Sequence, residues 1–569
     1  LGRSQLSAQK ALPGPVNRSP EGQAREPGDI PPWSRLYPQM VVPGRRRNLL
    51  DGRDADSHLE ESACDIVPPM QSASTKTGGP GGGRAPSSTS DVTVPQLLIG
   101  WLLSSVVLLC VKWRMLGDTY YWDELACYFA QVFEMVHRLA HFLASHPPYV
   151  RSPLMTSVLA LLHRYVSESR ELQHGTVLVV AALSLPATYA LTCQLGGSRR
   201  TGILAALLCG LTPAFFAQAG MVQRELPATG VGALAFVCVL RRNWLGYALL
   251  GGMAVLIKES TYWVCLASAV LVFVRLWKLE RRPPLAISTL WRVWPTAIPG
   301  VVLFMWLLVH RHITGAMVAS DHTSVLSVGG IWTSMLHNLI EGRRLPLTIA
   351  AGAFVMHLFR RQIPNESFAA ERMVDQRIAV FATVVLWLTL PLCFPGQLVR
   401  YMLPALPALC ALAALGVALL PSTKQLGLAA LLALCLVSGF RGDSWHANSP
   451  SEIEGTLSYR LLLHQQMIVA QRIADSGARR AVADFPFENI LGAAPIFGYL
   501  ETPLAVTRLG KLRDPAELCA SEVVVLTQVS VDSFPLIEKA VRMGILKLWF
   551  VAASDEFPVG KSWYVPKSA

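Results

Sequence analysis

Residues 96–115 read QLLIGWLLSSVVLLCVKWRM, and Gly117-Asp-Thr-Tyr-Tyr-Trp-Asp-Glu124 follows almost at once. The first stretch holds no acid, and its two cations, Lys112 and Arg114, sit near its far end. Twenty residues at about 1.5 Å of rise give a helix of roughly 30 Å, the thickness of a bilayer's hydrocarbon core. Inside lipid such a helix satisfies its own backbone hydrogen bonds. The acids that follow mark where the chain leaves the apolar phase. A membrane helix opening into an acidic, aromatic segment is the pattern from which the rest of the chain is read.

The 569 residues are 52% hydrophobic and only 15% charged, with mean hydropathy +0.38. A soluble domain carries about 25% charged residues, so composition excludes both an ordinary globular protein and a disordered one. Ten further apolar stretches are read as spans: 175–195, 202–219, 226–241, 243–258, 260–277, 293–310, 344–359, 378–396, 401–420 and 425–440. With the N-terminus cytoplasmic, the inner loops contain Arg199, Arg200, Arg241, Arg242, Arg275, Lys278, Arg281, Arg282, Arg292, Arg360, Arg361, Arg372, Arg377 and Lys424. The outer loop 117–174 instead has acids at 118, 123, 124, 134, 168 and 171. Short basic loops on one side fix the orientation, and Lys112 and Arg114 are its exceptions. The net charge of +12 therefore reports topology, and no nucleic-acid partner is expected.

Residues 1–94 are rich in Gly, Pro, Ser and Arg, including Thr77-Gly-Gly-Pro-Gly-Gly-Gly-Arg84. So little apolar surface does not offset chain entropy, and a disordered tail is expected. Residues 441–569 alternate candidate strands (480–484, 504–507, 522–526, 545–551) with helical patterns (459–476, 532–543), which suggests a small α/β domain. An odd number of spans puts it outside. Eight of eleven cysteines lie in apolar stretches and no CxxC occurs, so neither a zinc ribbon nor a disulfide framework is expected. The expected fold class is an all-α polytopic membrane protein, with about eleven transmembrane helices over 95–440 and an extracytoplasmic α/β domain over 441–569.

The outer loop carries the candidate chemistry. Asp123–Glu124 follows the first span and an aromatic cluster, where a carboxylate can serve as general base for an acceptor hydroxyl; a solvated acid pair is the plain alternative. An amphipathic stretch, 125–144, leads to Ser145-His146-Pro147-Pro148, whose prolines force an extended break. The apolar helix over 153–166 is placed at the membrane interface. Tyr120, Tyr121, Trp122, Tyr128 and Phe129 can stack on a sugar or line a lipid groove, though an interfacial aromatic belt is the ordinary reading.

In this order the residues resemble the GT-C glycosyltransferase superfamily, in the branch of protein O-mannosyltransferases and lipid A aminoarabinose transferases. The likeness rests on Asp123-Glu124, His146-Pro-Pro148, the Leu-Ala-Leu-Leu-His-Arg run ending at Arg164, and Leu195-Gly-Gly197. It continues through Gln223-Arg-Glu225, Leu256-Ile-Lys-Glu-Ser260 and Arg400-Tyr-Met-Leu-Pro-Ala-Leu-Pro407. It implies a GT-C-like membrane domain and inverting transfer of a sugar from a polyprenyl-phosphate carrier to an extracytoplasmic protein, lipid or glycan. Asp123 would be the base with Glu124 beside it, and Glu124, His146 and Tyr128 would shape the acceptor side. Arg224, Lys258 and Arg400, at outer helix ends, would bind the donor phosphate, whose charge needs partners in a low-dielectric site.

Each residue also has a bland reading. Arg224–Glu225 and Lys258–Glu259 can be interfacial pairs, Arg400 can snorkel to the surface, and His146 can be a turn residue. Glu134, His137 and His141 share a helical face, and His310, His312 and His322 cluster in another outer loop. A divalent metal is conceivable at either place, but no cofactor is assigned. The chain departs from the family in two places. Loop 311–343 is too short for the β-trefoil of eukaryotic O-mannosyltransferases, and His146-Pro-Pro148 stands where the aminoarabinose enzymes have Glu-Lys-Pro. A transporter or flippase is the competing class, but no internal repeat is visible, and the candidate polar residues sit at helix ends instead of mid-span. A non-catalytic relative that binds through its outer domain is the third reading.

Overall fold

In the computed structural model the described residues are 92–121, 124, 152–279, 291–314, 343–364, 367–393, 399–441, 455–475, 477–483, 487–492, 498–508, 523–526, 549–550 and 563–566, with single positions at 132, 135, 136, 332, 335 and 339. All fall in one unit, 83–569. The tail through residue 91, the helical pattern at 532–543, and Asp123, Tyr128 and His146 lie outside them.

Helix α1 (Val94–Lys112) starts at a capping box: the Thr93 hydroxyl accepts from the Gln96 amide, and the Gln96 side chain accepts from the Thr93 amide. Two donors that the first helical turn leaves open are thus satisfied. Next come α2 (Leu154–Tyr165), α3 (Arg170–Ala181), α4 (Ser184–Gln194), α5 (Arg199–Leu211) and α6 (Pro213–Gln218). The main bundle continues with α7 (Glu225–Leu240), α8 (Trp244–Ile257), α9 (Tyr262–Lys278), α10 (Ile298–Thr314), α11 (Leu345–Arg360), α12 (Ser367–Cys393), α13 (Leu406–Val417) and α14 (Ser422–Ser438).

Two of the proposed spans are interrupted, and proline explains both. The stretch 202–219 is two helices, because Thr212 takes extended backbone (φ −65°, ψ 128°) ahead of Pro213, as a residue before proline prefers. The stretch 175–195 breaks between α3 and α4 four residues before Pro186, whose ring cannot accommodate the carbonyl of residue 182 in a continuous helix. Among the described residues, five helical stretches are long and apolar enough to cross a membrane: Val94–Met115, Arg170–Gln194, Glu259–Lys278, Trp291–His312 and Arg400–Val417. Four shorter apolar helices accompany them: Glu225–Leu240, Trp244–Ile257, Leu345–Arg360 and Ser422–Ser438.

A helix that is apolar all round must face either a protein core or lipid, and the bundle has both kinds. Only 11% of the α1 window is buried and 100% of the Arg400–Val417 window. Leu98, Ile99, Leu102, Leu103, Val106 and Val107 leave α1 an open apolar flank. Every residue of α13 is buried, among α4, α5 and α11. Gly416 permits this: a Cβ there would lie 2.0 Å from the Ala350 carbonyl oxygen of α11.

Beyond the bundle lie α15 (Ser458–Asp475), β1 (Arg480–Ala483), α16 (Phe487–Gly492), β2 (Ala505–Arg508), β3 (Val523–Leu526), β4 (Trp549–Phe550) and β5 (Trp563–Pro566). The sheet order is β2-β1-β3-β5-β4. Strands β2, β1 and β3 are parallel, and β5 is antiparallel to both neighbours. The closing antiparallel pair includes a strand, β5, that the sequence reading did not contain.

Candidate active site

Three helix junctions meet at the end of the bundle that carries the long first loop. Arg224 caps the start of α7, Lys258 ends α8 in extended backbone (φ −150°, ψ 121°), and Arg400 lies in a 3-10 segment, Val399–Ala405, ahead of α13. Helix α7 packs against α8 and against that segment, so three residues far apart in sequence come together. Their common partner is Glu225, 1% exposed. Its Oε1 lies 3.2 Å from Lys258 Nζ and 3.8 Å from Arg400 Nε, and its Oε2 accepts from the Arg224 amide at 3.0 Å.

The ring of Tyr401 adds a second anchor. Lys258 Nζ sits 5.2 Å from its centroid and the Arg400 guanidinium 5.3 Å, both within cation–π range. Arg224 Nη1 donates to the Ser152 carbonyl at 2.9 Å, and the Ser152 hydroxyl donates to Glu259 Oε2 at 2.9 Å. Glu259 in turn lies 3.6 Å from Lys258 Nζ. All three cations are 2–3% exposed. Arg400 therefore does not snorkel, because its guanidinium is held between a carboxylate and an aromatic face. Three cations face two carboxylates, and Glu259 is 42% exposed, so the buried part of the site is net positive.

The start of the acidic loop is tied to this cluster. One oxygen of the Glu124 carboxylate accepts from the Tyr121 amide at 2.5 Å and the other from the Val222 amide, two residues before Arg224. His174 Nε2 lies 3.5 Å from the same carboxylate, and His174 Nδ1 bonds the Leu116 carbonyl at 2.8 Å. Glu124 thus ties Tyr121 to the segment that leads into the cation site. Tyr120 and Tyr121 are fully buried and do not form an interfacial belt. Tyr120 meets His174 edge-on at 5.1 Å, and Tyr121 meets Tyr459 of α15 at 6.0 Å. Burial first, then the Glu124 charge, pushes the Tyr120 phenol well above its ordinary range, so it stays neutral.

Lys112 and Arg344 belong to the same end, and sequence reading did not assign them to the site. Lys112, wholly buried, donates to the Phe216 and Ala217 carbonyls at 2.5 and 3.2 Å and lies over the Phe216 ring. It serves the open carbonyls at the end of α6, which explains why it breaks the loop-charge pattern: it is an internal cation. Arg344, 2% exposed, caps α11. The only sequence signal for either was a cation abutting an apolar run, which interfacial residues share.

A cavity of about 380 Å³ lies at the opposite helix ends, lined by Arg242, Trp244, Arg275 and Arg292 among others. The 16 residues of α7, roughly 24 Å of helix, separate it from Arg224, so it is not part of this site. Among the described residues no group of three or more metal-ligating side chains occurs.

No protein-family model and no curated protein matches the chain. Solved structures do. ArnT from Cupriavidus metallidurans bound to undecaprenyl phosphate is 14% identical, with TM-score 0.50, over 84% of this chain and 99% of that one. Its apo form is 16% identical, with TM-score 0.49, over 82% and 98%. Archaeal oligosaccharyltransferase AglB from Archaeoglobus fulgidus, in complex with an inhibitory peptide and a dolichol-phosphate, is 10% identical, with TM-score 0.45, over 83% and 74%. Likeness to the first of these, nearly along its whole length, gives the chain the fold of ArnT.

Proposed function

We propose that the chain is an integral-membrane glycosyltransferase that moves a sugar from a polyprenyl-phosphate carrier to an acceptor hydroxyl. In this reading the long-loop end and the segment after 441 face away from the cytosol, the N-terminus faces the cytosol, and all eleven apolar stretches cross the bilayer. The observation that carries the proposal is the convergence of the Lys258 ammonium and the Arg400 guanidinium on the buried Glu225 carboxylate, which also accepts from the Arg224 backbone amide, joined through Glu124 to the loop bearing Asp123. A net-positive, buried cluster beside an acidic loop suits a phosphate leaving group on one side and a hydroxyl nucleophile on the other. ArnT, the structural neighbour, binds undecaprenyl phosphate, which is consistent with such a donor.

Asp123 takes the proton of the acceptor hydroxyl. The acceptor oxygen bonds to the anomeric carbon as the bond from that carbon to the phosphate oxygen breaks. The electron pair leaves with the polyprenyl phosphate, whose added charge is met by Arg224, Lys258 and Arg400, and attack from the opposite face inverts the centre. Glu124, with both oxygens on backbone amides, positions the loop; His146 and Tyr128 line the acceptor side. The test compares glycolipids and glycoproteins by mass spectrometry in cells lacking the gene, complemented with wild type or with Asp123→Asn. Wild type should restore a glycan that the variant does not. Identical profiles from the two would remove Asp123 as the base, and a deletion that alters no glycan would remove the enzyme reading.

A further inference from the structure

The acidic loop is gripped from a distance by the C-terminal segment. Arg460, on the first turn of α15, makes a two-pronged pair with Asp118: Nε to Oδ2 at 2.6 Å and Nη2 to Oδ1 at 3.0 Å. The neighbouring Tyr459 packs its ring edge against Tyr121. A second stretch, some forty residues on, reaches the same place: the Tyr499 hydroxyl donates to the Tyr120 carbonyl at 2.7 Å. Gly498, in left-handed backbone at φ +80°, lets the Arg170 guanidinium pack where a side chain would stand. Tyr120, Tyr121, Tyr459 and Tyr499 are all at most 5% exposed.

These contacts meet on four consecutive residues, 118–121, and Glu124 fixes the far side. A paired fork is the geometry that sets direction as well as distance. The Asp118 bond also holds Arg460 more firmly protonated than usual.

We infer that the C-terminal segment is a positioning brace for the catalytic loop: Arg460 and Tyr499 clamp residues 118–121, the stretch that leads into Asp123. The inference rests on the proposed function for what the brace serves, but the brace itself has a readout that does not. Hydrogen exchange on the full-length protein in lipid nanodiscs, followed by mass spectrometry, reports the peptide containing 117–124. Arg460→Ala should raise its exchange several-fold and leave the peptide from α13 unchanged. Arg460→Lys, which keeps the charge but loses the fork, should give an intermediate effect. The double swap Asp118→Arg with Arg460→Asp should restore protection. In the complementation assay described above, Arg460→Ala should lower the restored glycan at least tenfold, and the double swap should recover it.

Unchanged exchange at 117–124 in Arg460→Ala overturns the brace. Raised exchange with undiminished glycan transfer overturns its positioning role. Raised and rescued exchange in a protein whose deletion changes no glycan leaves the brace standing and removes the glycosyltransferase reading instead. Should Arg460→Ala misfold, Tyr499→Phe, which deletes one hydroxyl, carries the same comparison.

Discussion

Replacing Glu225 by Gln tests the cation site most directly. The substitution keeps shape and removes one negative charge from a position 1% exposed. Across the 3.2 Å contact to Lys258 and the 3.8 Å contact to Arg400, the gross attraction is about 5 and about 4 kcal/mol at an effective dielectric of about 20. The desolvation already borne by the cations is not returned when the carboxylate goes, so the net cost should approach the ~3–5 kcal/mol seen when one partner of a buried pair is removed. The purified variant in detergent should melt roughly 3–5 °C below wild type. The same logic makes a second, opposite expectation. With Glu225 neutral, the three cations face only Glu259 and should take up an external anion more strongly, so a saturating amount of undecaprenyl phosphate should stabilise the variant by more than it stabilises wild type. A variant that melts with the wild type would refute the electrostatic argument. One that is destabilised but gains no more from the lipid phosphate than wild type would refute the assignment of these cations to a phosphate.

Lys112→Met should lower stability by about 1–3 kcal/mol, read as a lower melting temperature, because the Phe216 and Ala217 carbonyls lose their buried donor. Gly416→Ala should be more damaging, about 3 kcal/mol or worse, since its Cβ would collide with the backbone of α11 and not with a movable side chain; loss of a monodisperse peak on size-exclusion chromatography would report it. Gly498→Ala should cost about 1–2 kcal/mol for its left-handed backbone, with the loss appearing as faster exchange at 498–500 and at 118–121, and not in the helical bundle.

How much of this was legible in the chain depends on how local the signal is. Among the described residues the apolar runs fall largely on helical segments, because an apolar stretch bounded by charges is set by composition alone. Their continuity was less legible: Pro213 and Pro186 broke two of them through sterics that a hydropathy window averages away. Among the site residues, the sequence placed Arg224, Lys258 and Arg400 at helix ends on one side of the membrane. It did not contain the fact that Glu225 is their shared partner, because that requires α7, α8 and α13 to be neighbours. Glu124 shows the same limit. Beside Asp123 it looked like half of a catalytic pair, yet its oxygens are held by backbone amides of Tyr121 and Val222, a contact spanning 98 positions.

The sequence by itself thus determined the solvent of each segment. Apolar runs, basic short loops and an acidic long loop follow from transfer free energies that are summed residue by residue, and they separate spans from loops without any knowledge of the fold. Tertiary structure decided which polar groups share a pocket. It turned Lys112 from an exception to the charge pattern into an internal cation, buried Tyr120 and Tyr121 that composition would leave at the interface, and set Arg460 on Asp118. These outcomes depend on packing between helices distant in the chain, where the cost of burying a charge is met only by a partner that the local sequence does not contain.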